Sequence, residues 1–174
     1  MSGAPTGDVR ITVHDAEAAQ AFRDPVLEVW TVAFGPVADE DDWRSRFWEQ
    51  HRGRDGFRLV TAEQAGVLAG FAWGYTGERG QWWADRVAAA LGEQAEGWLG
   101  RHWEFVELAV RPEHRRRGLG GLLHDALLDG LGHERALLQT DPDGAGHSLY
   151  RRRGWQVIGS LPEGKAVMGK HLRG

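Results

Sequence analysis

Residues Trp103–Gly121 read WEFVELAVRPEHRRRGLGG: an apolar run rich in β-formers, then Pro112, then a basic, glycine-rich turn. The spacing Arg115-x-x-Gly118-x-Gly120, followed by Gly121, removes side chains where backbone N–H groups can close around a phosphate. Leu119 to Leu131 supplies a helix whose N-terminus faces that anion. Read alone, a strand feeding a phosphate cradle also suits a nucleotide kinase or a dinucleotide enzyme. No Walker-type Lys follows the glycines, and Arg stands in its place.

Working outward, Leu122, Leu123, Ala126, Leu127 and Leu131 give that helix one apolar face, with its end near Gly130 and Gly132. Arg135 to Thr140 reads as a strand, and a crossover helix makes it a parallel neighbour of Trp103 to Val110. Asp141 to Gly146 reads as a loop and Ser148 to Arg153 as a short helix stopped by Gly154. Trp155 to Gly159 and Ala166 to Leu172 form a final antiparallel pair.

Toward the N-terminus, Val9 to Val13 is a short strand, and Asp15 caps a helix from Ala16 that Pro25 is expected to break. A second helix starts after Asp39. Its acidic opening, Glu40, Asp41 and Asp42, is read as dipole complementation or, alternatively, as a cation-attracting rim. His51 to Gly56 is expected as a loop. Phe57 to Thr61 and Val67 to Thr76 form a hairpin, and Gly70 and Gly74 in its second strand signal a bulge or a close backbone approach. Gln81 to Leu91 reads as an amphipathic helix with Trp82, Val87 and Leu91 on its apolar positions, followed by a loop holding Trp98. The tryptophans of this stretch suit core packing or, alternatively, an acceptor pocket wall.

The 174 residues, 41% hydrophobic and 26% charged, fit one globular domain, and the order of elements reads as a mixed α/β sheet. Residues 1–8 are expected to be flexible. No run is long enough for a membrane helix and no signal peptide is apparent, so a cytoplasmic setting is expected. The absence of Cys excludes disulfides, a cysteine nucleophile and thiolate metal sites. A net charge of −4 argues against broad nucleic-acid binding, although RPEHRRR and YRRRG are local basic clusters that point to a small anion. His114, His124 and His147 lack metal-ligand spacing and are expected on the surface or in loops. Nine Trp in one domain are compatible with an aromatic homodimer interface.

Three segments in this order resemble the GCN5-related N-acetyltransferase (GNAT) superfamily: LAV at Leu108–Val110, RRRGLG at Arg115–Gly120, and LYRRRGW at Leu149–Trp155. The resemblance is sharp over Trp103 to Gly159 and rests on element order before that, where 78–101 stands out as a family-atypical helical insert. It implies a GNAT fold of α/β class, a mixed central sheet of about six or seven strands flanked by helices on both faces, that binds acetyl-CoA and no metal, with a small amine or peptide as acceptor. The backbone of Leu108, Ala109 and Val110 would pair with pantetheine in a splay between strands 103–110 and 135–140. Arg115, Arg116, Arg117, Gly118, Leu119, Gly120 and Gly121 would wrap the pyrophosphate, with one or two of the three arginines on phosphate and the rest solvated, since successive residues of a turn point in different directions. Many members carry Asn seven residues before the Tyr. Asp143 stands there instead, with Gly146 where Ala is common, so the Asn role is not transferred.

On this resemblance, Tyr150 is the candidate general acid, because a phenol with a reference pKa of about 10 can protonate a departing thiolate. Its bland counterpart is a Tyr anchoring a short helix. Glu104 and Glu107 compete as the base, with ordered water as a third route. Strand alternation puts the two carboxylates on opposite faces unless a bulge intervenes. The implied reaction is direct attack by a primary amine in a ternary complex. The alternative is a non-catalytic acyl-CoA-binding sensor or interaction module.

Overall fold

Alternating β-branched and aromatic residues build seven strands: Val9–His14 (β1), Arg58–Gln64 (β2), Val67–Gly77 (β3), His102–Val110 (β4), Arg135–Thr140 (β5), Gln156–Ser160 (β6) and Ala166–His171 (β7). In the computed structural model, which describes residues 8–172, they form one mixed sheet in the order β1-β2-β3-β4-β5-β7-β6. The stretch 1–8 expected to be flexible falls outside the described residues except for Asp8. The helices are Ala16–Ala19 (α1), Arg23–Phe34 (α2), Glu40–Asp42 (α3), Trp48–Arg52 (α4), Trp82–Leu91 (α5), Leu119–Leu128 (α6) and Ala145–Arg152 (α7). Contacts divide the chain into two compact units. One takes the chain up to Trp73 with Glu107–Asp129, the other Gly74–Val106 with Gly130 onward.

In the first unit, Asp15 caps α1 by accepting from the Ala18 N–H at 2.8 Å. The break in this helical stretch is a 3-10 turn at Gln20–Phe22 and not at Pro25, which lies in the first turn of α2 where its missing N–H leaves no bond unmade. Asp39 caps α3 through the Asp42 N–H at 3.0 Å. The helix then runs through a π-helical turn at Trp43–Phe47 into α4, so the expected loop begins only at Gly53. The Arg52 guanidinium holds this last turn by donating to the Ala16 carbonyl at 2.9 Å and to Glu49 at 2.6 Å.

Rings of Trp30, Trp43, Phe47, Trp48 and Phe71 surround Trp73 with centroids 5.4 to 6.5 Å from it. The Trp73 Nε1–H is satisfied by His51 Nδ1 at 3.2 Å. The β2–β3 hairpin turns at Ala65 and Gly66, both at positive φ, which fits a two-residue turn twisted with its strands. Gly70 marks a close approach: a Cβ there would lie 2.7 Å from the Ala109 carbonyl oxygen.

Helix α6 buries Leu119, Leu123 and Leu127, but it also buries His124, at 3% exposure, where a surface His was expected. His124 is tolerated because its Nδ1 meets Asp125 Oδ1 at 2.8 Å. Leu122 is exposed and Leu131 lies beyond the helix end. The helix stops at Leu128 because Asp129 turns extended, and Arg58 donates to the Leu127 and Asp129 carbonyls at 3.1 and 2.7 Å.

In the second unit, β4 and β5 pair in parallel at Trp103↔Ala136 and Glu104↔Leu137, as expected from the crossover. β7 pairs antiparallel with β5 and with β6, where a bulge falls between Val157 and Gly159. Helix α5 packs Ala84, Val87 and Leu91 on Leu137 and Val167, joined by Ala95 and Leu99 from the following turn. Trp82 does not share that face: it opens α5 at 72% exposure with the Arg86 guanidinium over its ring. Trp98 is a packing residue. It covers Gly169, where a Cβ would lie 2.6 Å from the ring, and stacks on His171. Helix α7 starts three residues before the expected Ser148, directly after the turn closed by Gly144 N–H to Asp141 O.

Candidate active site

The glycine-rich turn lies wholly in the first unit. Its entry is fixed by Arg111, whose N–H donates to Ala69 O at 2.8 Å and whose guanidinium holds Leu68 O at 2.7 Å and Glu28 at 3.0 Å. Arg115 folds back, its Nε donating to the Val110 carbonyl at 3.3 Å. Arg116 and Gly118 both adopt left-handed backbone, at φ +65° and +78°. No side chain caps α6, whose first turn is Leu119, Gly120 and Gly121. The opening N–H groups of the helix therefore have no intrahelical acceptor. Arg116 and Arg117 are exposed and make no ion pair among the described residues. One or two of the three arginines are expected on phosphate; Arg115 is committed to the strand end, and Arg116 and Arg117 are exposed.

The second unit holds Glu104 and Tyr150. Tyr150 is buried on α7, its ring edge-to-face with Phe105 at 5.6 Å and with Trp155 at 5.9 Å. The structure thus gives Tyr150 the anchoring contacts of the bland reading, and these also hold the phenol in one place. Glu104 is 4% exposed, and its Oε1 lies 3.2 Å from His102 Nε2. Successive strand residues alternate, so Phe105 with Tyr150 occupies one face of β4 and Glu104 with His102 the other. Glu107, in the first unit, is half-buried.

His102 was not singled out from the sequence. A signal was present, because His and Glu two apart on a strand share a face. Gly77 makes room for the pair: a Cβ there would lie 2.2 Å from His102 Nε2 and 2.8 Å from Glu104 Oε1.

The acidic run at the start of α3 is consumed locally. Arg44 reaches Glu40 at 3.3 Å and Asp24 at 3.0 Å, and Arg46 grips Asp42 through two bonds of 2.8 Å. The Arg46 hydrogen bond holds the Asp42 carboxyl below the usual carboxylate range. A surface depression of about 210 Å³ lies here, lined by Val37, Trp43 and Phe47 among others, but its carboxylates Asp39 and Asp42 are already engaged as cap and ion pair. The capping account of the run is seen directly in the Asp39 bond to the Asp42 N–H. Asp143 is exposed, while its neighbour Asp141 pairs with Lys165. Among the described residues, no group of three or more His, Asp or Glu could hold a metal, and no helix is long and apolar enough to cross a membrane.

A family model described as the acetyltransferase (GNAT) family matches residues 23–155, spanning the turn, Glu104 and Tyr150. The chain belongs to the GNAT acetyltransferase family. It is 30% identical over 187 residues to the GCN5-like protein acetyltransferase Rv2170 of Mycobacterium tuberculosis, covering 84% of this chain and 89% of that one. Its fold is similar to PH1933 from Pyrococcus horikoshii, with a TM-score of 0.70 at 17% identity over 94% of this chain and 98% of that one. It is also similar to yncA from Salmonella typhimurium, solved with its cofactor acetyl-CoA, with a TM-score of 0.63 at 18% identity over 97% and 96%.

As a GNAT enzyme the protein is an acetyl-CoA-dependent acetyltransferase. Its own residues fit that co-substrate. An uncapped helix N-terminus behind a left-handed turn, with two uncommitted guanidinium groups beside it, is the donor set a pyrophosphate requires.

Proposed function

We propose that this GNAT enzyme transfers the acetyl group of acetyl-CoA to a primary amine by direct attack in a ternary complex. The pyrophosphate binds at Arg115–Gly121, with Arg116 and Arg117 as its ion partners. Pantetheine runs along the backbone of Leu108–Val110, whose N–H groups polarise the thioester carbonyl. The acceptor ammonium gives a proton to Glu104, and the amine nitrogen bonds to the carbonyl carbon. When the carbon–sulfur bond breaks, the electron pair leaves with sulfur, which takes its proton from Tyr150; the second proton, shed by the newly bonded nitrogen, restores the phenol, and Glu104 releases its own proton to solvent.

The observation that carries this reading is the placement of the two proton-handling groups on opposite faces of β4. One serves the incoming amine and the other the outgoing thiol. Burial gives Glu104 a water-poor setting in which its charge acts strongly. Glu107 remains the competing base. The chain contains no Cys, and direct attack calls for no thiol nucleophile. Small polyamines, amino acids and aminoglycoside-like compounds are acceptors of the right chemistry, and the Mycobacterium relative's description adds protein amines.

The test is CoA release across an amine and peptide panel, with mass spectrometry of products and variants compared on any hit. Tyr150→Phe is expected to lower kcat by at least about 100-fold while acetyl-CoA affinity changes little. Glu104→Gln is expected to lower kcat and Glu107→Gln to leave it near wild type. An unchanged kcat for Tyr150→Phe refutes the acid assignment, and tight acetyl-CoA binding with no turnover of any amine favours the binding-module alternative.

A further inference from the structure

We infer that His102 is a positioning residue that fixes the Glu104 carboxylate for proton abstraction, an inference that rests on Glu104 being the base. The geometry starts one turn earlier. Arg135 donates from its guanidinium to three consecutive carbonyls, Trp98 at 2.9 Å, Leu99 at 3.2 Å and Gly100 at 2.6 Å. Gly100 and Arg101 then both take left-handed backbone, φ +95° and +50°, and for Arg101 that is a strained conformation. This turn aims the Gly100 N–H at His102 Nδ1, 3.2 Å away.

A backbone N–H can only donate, so Nδ1 is the acceptor nitrogen and the ring proton sits on Nε2. That proton is donated to Glu104 Oε1 at 3.2 Å. His102 is wholly buried, and Gly77 supplies the space without which neither side chain could take its place.

Three devices, the Arg135 clamp, the left-handed Arg101 and the missing Cβ at Gly77, converge on one hydrogen bond. A buried His needing only satisfaction would not require a carboxylate as its partner. The bond occupies Oε1 and turns the carboxylate so that Oε2 is the oxygen that accepts the amine's proton. His102 keeps its own proton throughout and touches no reacting atom.

The experiment has two parts. Long-range 15N–1H NMR of the wild-type protein, with His102 assigned through its loss in His102→Gln, reads the tautomer directly. A protonated Nε2 whose resonance moves in Glu104→Gln is expected, and a protonated Nδ1 overturns the inference.

Turnover is then measured with acetyl-CoA and n-butylamine as a minimal primary amine. His102→Asn, whose amide cannot reach the Nε2 position, should lower kcat about 10- to 100-fold with the acetyl-CoA KM within about twofold. His102→Gln, which places an amide N–H near Nε2, should recover at least about a third of the wild-type rate. The double variant His102→Asn/Glu104→Gln should be no slower than Glu104→Gln alone, because the two residues act as one unit. Losses that multiply in the double variant, or a wild-type rate in His102→Asn, overturn the inference while leaving Glu104 as base. A wild-type rate in Glu104→Gln removes the base assignment and the inference with it.

Discussion

Replacing Gly77 with Ala tests how tightly the Glu104 site is built. The added methyl would lie 2.2 Å from His102 Nε2 and 2.6 Å from Cε1, against an ordinary contact distance of about 3.5 Å. The imidazole must therefore retreat by more than about 1 Å, yet it is wholly buried and tied at Nδ1 to the Gly100 N–H. Overpacking of this kind costs about 1–3 kcal/mol, which for a chain of this size is a fall in Tm of roughly 2–12 °C. The same displacement carries Glu104 with it, and a misplacement of about 1 Å in a reacting geometry costs about 100-fold in rate. Thermal melts and steady-state kinetics on the same preparation give both numbers. A Gly77→Ala protein that melts within about 1 °C of wild type and turns over normally would show slack around the pair and refute the reasoning.

Gly118→Ala forces a side chain into a left-handed position that opens the cradle, at a cost of about 1–2 kcal/mol. Isothermal titration should show CoA binding weakened about 5- to 30-fold. Gly146→Ala is the opposite case. Its Cβ would meet Tyr150 Cε2 and Thr140 Oγ1 at 3.4 and 3.5 Å, ordinary contacts, and Ala in a helix gains about 1 kcal/mol over Gly, so Tm should rise by roughly 2–4 °C with kcat unchanged. His14, bonded to Thr61 Oγ1 at 2.9 Å, has its pKa lowered from 6.5 chiefly by burial. The unfolded chain therefore takes up the proton first, and the contribution of His14 to stability is full above pH 6.5 and is lost as pH falls below it. His14→Gln should flatten that part of the Tm–pH curve, measured between about pH 5 and 7.5.

The strand–turn–helix at 103–121 was legible because its chemistry is written in consecutive residues: Pro112, the arginines, the glycines. The close approach at Gly70 was legible for the same reason, since a glycine in a β-rich run has few other meanings. Burial of His124 was not, because a His on a helix looks polar until its face is known and its neighbour Asp125 is seen to satisfy it. The extra turn of α4 and the late start of the 53–57 loop depend on Arg52 finding Ala16, a contact 36 residues distant in sequence. His102 escaped notice because the groups that fix it, Gly77, Gly100 and Arg135, come from three separate segments. Only Gly77 removes an obstacle; the other two act through hydrogen-bond direction, which sequence does not display.

The tryptophans around Trp73 have a consequence of another kind. Trp30 and Trp73 lie nearly parallel at 5.9 Å, Trp43 and Trp48 at 5.7 Å, and Trp48 stands almost perpendicular to Trp73 at 5.7 Å. Indoles this close exchange electronic excitation, so they absorb and emit as an ensemble and give exciton-split bands in circular dichroism. The first unit thus carries its own optical reporter. Loss of the couplet would time the loosening of this unit separately from the loss of acetyl transfer, with no label attached.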